Sequence, residues 1–98
     1  MELDVDYVPT ANPDVLVSEE DNGWAVLVNL DTGNSLALNP TGVFIWNMAD
    51  GKKTVGDIIR EIRGTFSGVP QGIEGDVCGL AARLKDRGFF GREIKLSN

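Results

Sequence analysis

Histidine is absent from these 98 residues, and cysteine occurs once, at Cys78. A lone thiol closes no internal disulfide, and without an imidazole neither a His-bearing zinc site nor a His-based catalytic triad can be assembled. No apolar run approaches the ~18 residues of a membrane span. The acidic start from Met1 to Asp6 has neither the basic region nor the apolar core of a secretory signal, so a cytoplasmic protein with no membrane contact is expected. Basic residues are missing before Lys52, which leaves residues 1–50 with nine acids and a charge of -9. The remainder carries nine bases and six acids, or +3, for -6 overall. Such asymmetry points to different faces meeting different partners. What is present is 42% apolar, enough for the modest core of one small domain.

The first dozen residues, with Pro and Asn clustered from Pro9 to Pro13, predict a flexible acidic arm over residues 1–14, ahead of a domain over 15–98. Strands are predicted at Val15 to Val17, Trp24 to Leu30 and Ser35 to Leu38. They are separated by Asn22-Gly23, whose two-residue turn needs positive φ twice, and by Asp31-Thr32-Gly33-Asn34. In the middle strand the alternation assigns Trp24, Val26, Val28 and Leu30 to one face, which the helices are expected to cover. At Pro40 the period lengthens to that of a helix. A short, buried helix carries Val43, Phe44, Ile45, Trp46 and Met48 up to Asp50-Gly51. Thr54 to Asp57 forms a variant capping box opening a second helix, with Val55, Ile58, Ile59, Ile62 and Phe66 as its inward stripe. A third helix is expected from about Glu74 to Arg87, with Val77, Leu80, Ala81 and Leu84 inward. Gly88 is its left-handed cap, Phe89 and Phe90 pack back on the core, and the last eight residues form an extended segment. The sum is an α+β fold, a three-stranded antiparallel sheet followed by three helices.

The run Leu38-Asn39-Pro40-Thr41-Gly42-Val43-Phe44-Ile45-Trp46, with Asp50-Gly51 and Thr54-Val55 behind it, resembles the signature of the PqqD-like family. Asp76-Val77, Leu80, Leu84 and Gly88-Phe89 fit that family's third helix. The similarity spans roughly Val15 to Phe90. Cys78-Gly79 in the first turn of the third helix and Ala81 in place of a larger aliphatic residue depart from the pattern. The resemblance implies a winged helix-turn-helix-like domain without catalytic chemistry. It implies a recognition element that binds the leader of a ribosomally made precursor peptide and presents it, in trans, to a radical S-adenosylmethionine or other peptide-modifying enzyme. Products ranging from the quinone cofactor PQQ to other peptide natural products fit that scheme, and no cofactor is expected on the chain itself.

The residues offer a place for such a peptide. A meander leaves the third strand with one unpaired edge, a template for an added strand. Carried over by position, the contacts would be Ser35, Leu36, Ala37 and Leu38 on the strand, facing Val77, Leu80, Ala81 and Leu84 on the helix, with Arg83, Lys85 and Arg87 along the exit. Core packing competes for Leu36, Leu80 and Leu84, and bases in a last helical turn also complement the helix dipole. Thr41, Gly42 and Trp46 read as structural. Two alternatives stay open. One is a DNA-binding winged helix, opposed by the net charge and by Glu74, Asp76 and Asp86 on the would-be recognition helix, so that no nucleic-acid partner is expected. The other is a protein-binding module with a target other than a leader. The same edge would also serve a homodimer.

Overall fold

In the computed structural model, which describes residues 5–91, the chain first reverses at Asp21–Gly23. There Asn22 (φ 65°) and Gly23 (φ 81°) both take the left-handed conformation. The Glu20 amide donates to the Trp24 carbonyl at 2.8 Å and closes a three-residue loop, one residue longer than the Asn-Gly pair predicts. This loop joins β1 (Val15–Glu19) to β2 (Ala25–Asn29). A second turn with Gly33 at φ 80° leads to β3 (Ser35–Leu38). The sheet is antiparallel in the order β1-β2-β3, so β1 and β3 are both edges.

Register overturns one expectation. Ala25 pairs with Leu38 and Leu27 with Leu36, and these four residues face the helices. The row expected in the core, Trp24, Val26, Val28 and Leu30, therefore faces away. Leu30 is 60% exposed and Leu27 fully buried. The cause lies in β3. Leu36 and Leu38 supply the apolar inward row, and whatever pairs with them across the ladder must turn inward too. The inward row of β2 accordingly ends in a polar residue, Asn29, which is satisfied in place. Its side-chain oxygen accepts from the Asp31 and Thr32 amides (2.8 and 3.2 Å), and its Nδ2 donates to the Gly88 carbonyl (2.8 Å).

Helix α1 (Pro40–Asn47) begins with Pro at its first position and is capped by Asn39, whose side chain accepts from the Gly42 amide at 2.9 Å. It is less enclosed than its composition predicts: Gly42, Ile45 and Trp46 are buried, while Val43 and Phe44 are half-buried. Helix α2 (Val55–Thr65) carries the expected capping box, with the Thr54 amide donating to Asp57 and the Asp57 amide to the Thr54 hydroxyl, each at 3.0 Å. The Thr54 amide, followed by its hydroxyl and by Arg60, holds the Asp57 carboxyl below its ordinary range. Val55, Ile58, Ile59 and Ile62 are buried, but Phe66 falls past the helix end and stays 43% exposed, edge-on to Phe44. Helix α3 (Ile73–Asp86) ends in a Schellman motif. Gly88 at φ 83° lets its amide reach the Lys85 carbonyl (3.2 Å) and the Phe89 amide reach that of Leu84 (2.8 Å), with Leu84 and Phe89 both fully buried. Phe90 is also buried and stacks on Trp46 with ring centroids 5.8 Å apart.

Residues 5–14, expected as a loose arm, are instead bonded along the helices. The Gly56 amide donates to Val5, Val55 to Tyr7, and Gly51 to Pro9 (2.9, 2.8 and 3.1 Å). Ala11 donates to Ala49 and Asn12 to Phe89 (3.0 and 2.9 Å). The Asn12 side chain donates to the same Gly88 carbonyl as Asn29. The first amides of α2 and backbone groups of the links after α1 and α3 supply the partners, a source that composition does not reveal. The extended segment expected over the last eight residues lies, apart from Gly91, outside the described residues.

Candidate functional site

The open edge of β3 has a definite polarity. The Asn29 amide donates to the Asn34 carbonyl at 2.8 Å, so Asn29 and Asn34 form a hydrogen-bonded pair of the ladder. Such pairs alternate along an antiparallel ladder. Leu36 and Leu38, opposite Leu27 and Ala25, therefore direct their amides and carbonyls at β2, and Ser35 and Ala37 direct theirs outward. The bond from the Leu30 amide to the Asp14 carbonyl (3.0 Å) sets the same alternation on the other side of β2. Two residues of β3 thus offer N–H and C=O groups to a further strand.

Beside this edge lies a groove of about 460 Å³ between β3 and α3, with the start of α1 at its base. Ala37, Leu38 and Asn39 form one wall, Asp76, Val77, Leu80 and Arg83 the other, and Thr41, Gly42 and Ile45 the floor. Gly42 is needed there: a Cβ on it would meet Leu38 at 3.2 Å and Leu80 at 3.3 Å, so the backbone of α1 touches both walls. Strand and helix run in opposite senses, since Asn34 before β3 lies by Arg87 after α3, with Asn34 Nδ2 3.5 Å from the Arg87 carbonyl. Arg83 accordingly stands toward the Ser35 end. Asp76 stands toward the Leu38 end, where Trp24, Pro70 and Ile73 form an apolar rim.

Of the contacts expected from the sequence, Ala37, Leu38, Val77, Leu80 and Arg83 line this groove, and Ser35 stands on the same edge. Ala81 and Leu84 do not belong to it. They are sealed in the core, because the wall facing β3 is the stripe Ile73, Asp76, Leu80 and Arg83, one step round the helix from the stripe that composition favours. Leu36 packs against the core on the inner face of the sheet. Lys85 sits over the Tyr7 ring, 4.9 Å from its centroid, and neither it nor Arg87 lines the groove. Asp76 was not among the expected contacts, though its place four residues before Leu80 could have identified it. Trp24 and Pro70 carry no signal at helical spacing, since they reach the site from a turn and a loop.

A family model described as coenzyme PQQ synthesis protein D (PqqD) matches residues 25–89, well over half of the chain. The chain belongs to the PqqD family. The matched span of this PqqD-family domain begins at β2 and ends at Phe89, so it includes both walls of the groove. Among solved structures, the fold is similar to TbiB1 in complex with the TbiA(beta) leader peptide, with a TM-score of 0.70 and 21% identity, covering 88% of this chain and 99% of that one. It is similar also to a lasso peptide synthetase B1 complexed with the leader peptide, with a TM-score of 0.69 and 21% identity over 88% and 100% of the two chains. At that identity the likeness establishes the three strands followed by three helices as a shared fold. No curated protein sequence matches the chain. Among the described residues of this PqqD-family domain, no helix is long and apolar enough to cross a membrane.

Proposed function

We propose that this PqqD-family domain binds the leader segment of a ribosomally made precursor peptide as a fourth strand on β3 and presents the rest of the peptide to a modifying enzyme, itself doing no chemistry. The observation that carries this reading is the outward pair Ser35 and Ala37 beside a groove with an apolar middle. An extended chain laid there gains main-chain hydrogen bonds from the edge, and alternate side chains enter the groove over Gly42. Arg83 at one end favours a carboxylate on the leader, and Trp24, Pro70 and Ile73 at the other favour an apolar side chain. The leader peptides present in the two similar structures support the same use of the fold. A cytoplasmic setting goes with the role, because precursor peptides are made there.

The DNA-binding alternative finds little support in α3. Its bases Arg83 and Lys85 share the helix with Glu74, Asp76 and Asp86, and Lys85 is engaged with Tyr7. The test is an amide NMR titration with the leader of the precursor encoded beside the gene. Shifts concentrated at Ser35, Ala37, Val77, Leu80 and Arg83 are expected. Shifts that map elsewhere, or tight binding to duplex DNA that weakens steeply with salt, would overturn the reading.

A further inference from the structure

The sheet has a second face, which the groove borders only at Trp24 and Ala37. Antiparallel sheets with one covered face ordinarily alternate apolar inward and polar outward. Here the outward row of β2, from Trp24 through Val26 and Val28 to Leu30, is more apolar than the inward row of Ala25, Leu27 and Asn29. Register adds Leu16 from β1, opposite Val28, and Ala37 from β3, opposite Val26. Leu16 is 58% exposed, Leu30 60% and Trp24 46%, with Val26 and Val28 half-buried between them. Contiguous exposed apolar surface of this kind marks an interaction site.

The charge around the face selects the occupant. No Lys or Arg occurs in residues 1–51, which include the whole sheet. Glu20 and Asp21 stand exposed at the β1–β2 turn beside Trp24, with the Ser18 hydroxyl donating to Glu20 at 2.9 Å, whereas Glu19, opposite Ala25, belongs to the inner face. A second copy using the same face would set one acidic rim against another with no base on either sheet to offset it, because both halves of a two-fold contact are the same surface. A surface with an apolar centre and Lys or Arg at its rim matches in both respects.

We propose that the outer sheet face, with Leu16, Val26, Val28 and Leu30 at its centre, docks a cationic, apolar patch of the peptide-modifying enzyme while the groove stays free for the leader; the identity of that partner rests on the function proposed above. Strand β3 then serves both partners, its edge taking the leader and its outer face, at Ala37, meeting the enzyme. The leader leaves the groove next to the enzyme surface.

The experiment uses the whole chain, the leader, and the purified modifying enzyme encoded beside it. Titration calorimetry is run for each partner with the parent, with Leu16→Ser/Leu30→Ser, and with Glu20→Lys/Asp21→Lys. These substitutions sit at exposed positions, and circular dichroism verifies folding. Enzyme affinity is expected to fall at least about tenfold in both variants, and parental binding to weaken with salt, while leader affinity stays within about twofold. Enzyme affinity unchanged in both variants would overturn the docking surface. So would enzyme-induced NMR broadening confined to the helices. Concentration-dependent self-association that Leu16→Ser/Leu30→Ser abolishes, or outer-face residues protected from a soluble paramagnetic probe in the free monomer, would assign the face to a second copy or to the chain's own ends and overturn it equally. If the leader fails to bind the groove but the enzyme still footprints on the sheet, the proposed function falls and the docking surface stands.

Discussion

Proline substitution at neighbouring positions of β3 separates the edge that binds from the edge that folds. Ala37 directs its amide outward, so Ala37→Pro removes one donor from the free edge and none from the ladder with β2. Proline is tolerated on an edge strand when its missing N–H faces solvent, and the cost to stability should stay below about 1 kcal/mol. For an added strand the loss is larger. One main-chain hydrogen bond is worth about 1 kcal/mol net, and the ring methylene replacing the amide hydrogen pushes the incoming strand off its neighbour, for a combined loss of about 2 kcal/mol. That corresponds to roughly a thirtyfold weaker leader. Leu36→Pro does the reverse damage. It removes an amide directed at β2 together with a half-buried leucine packed on the core, and should cost about 3 kcal/mol of folding free energy. Urea denaturation measures the first quantity, and fluorescence anisotropy of a labelled leader the second. A folded Ala37→Pro that binds like the parent, or a Leu36→Pro no less stable than Ala37→Pro, would refute the assigned polarity of the edge.

Three further outcomes follow from particular contacts. Gly42→Ala should lower leader affinity severalfold and not raise stability, despite alanine's helix propensity, because buried Leu38 cannot yield and half-buried Leu80 yields into the groove; calorimetry and thermal melts check both. Asn29→Ala strands the Asp31 and Thr32 amides and removes one of two donors to the Gly88 carbonyl, and should lower the denaturation free energy by about 2 kcal/mol. The Asp57 carboxyl is held below its ordinary 3.8, so the stability it contributes is complete above that value and fades as pH falls through its folded pKa. Asp57→Asn keeps an acceptor for the Thr54 amide and should flatten the acid limb of a stability profile measured below about pH 4.

Elements whose cause is local were legible in the chain. The Thr54–Asp57 box, the Pro40 helix start, the Gly88 stop and the Gly33 turn each depend on a few adjacent residues, and each stands where it was expected; the Asn22-Gly23 turn does too, with one residue more in its loop. The facing of β2 was not legible for the opposite reason. Trp24, Val26, Val28 and Leu30 outrank Ala25, Leu27 and Asn29 on any apolar scale, and only pairing with Leu36 and Leu38 selects the poorer row. Asn29 is tolerable inside because Gly88, fifty-nine residues away, accepts its proton. The site divided along the same line. The edge strand followed from topology, whereas the helix wall was carried over by position from the family resemblance, and Ala81 and Leu84 lie in the core because position in the sequence does not fix the rotation that decides which part of an apolar stripe meets it. Trp24 and Pro70 come from connections, whose placement depends on everything around them.

The Gly88 carbonyl accepts from both Asn12 and Asn29, and so ties the end of α3 to the N-terminal segment and to the middle strand at one half-buried point. The other end of α3 has no side-chain cap at Gly72; there the Ile73 amide donates to the Pro70 carbonyl at 3.2 Å, and Arg63 meets Glu74 at 3.1 Å in solvent. One acceptor thus serves as the keystone of three segments distant in sequence, and the Arg83 end of the groove stands on that shared joint, whereas its Pro70 and Ile73 end does not.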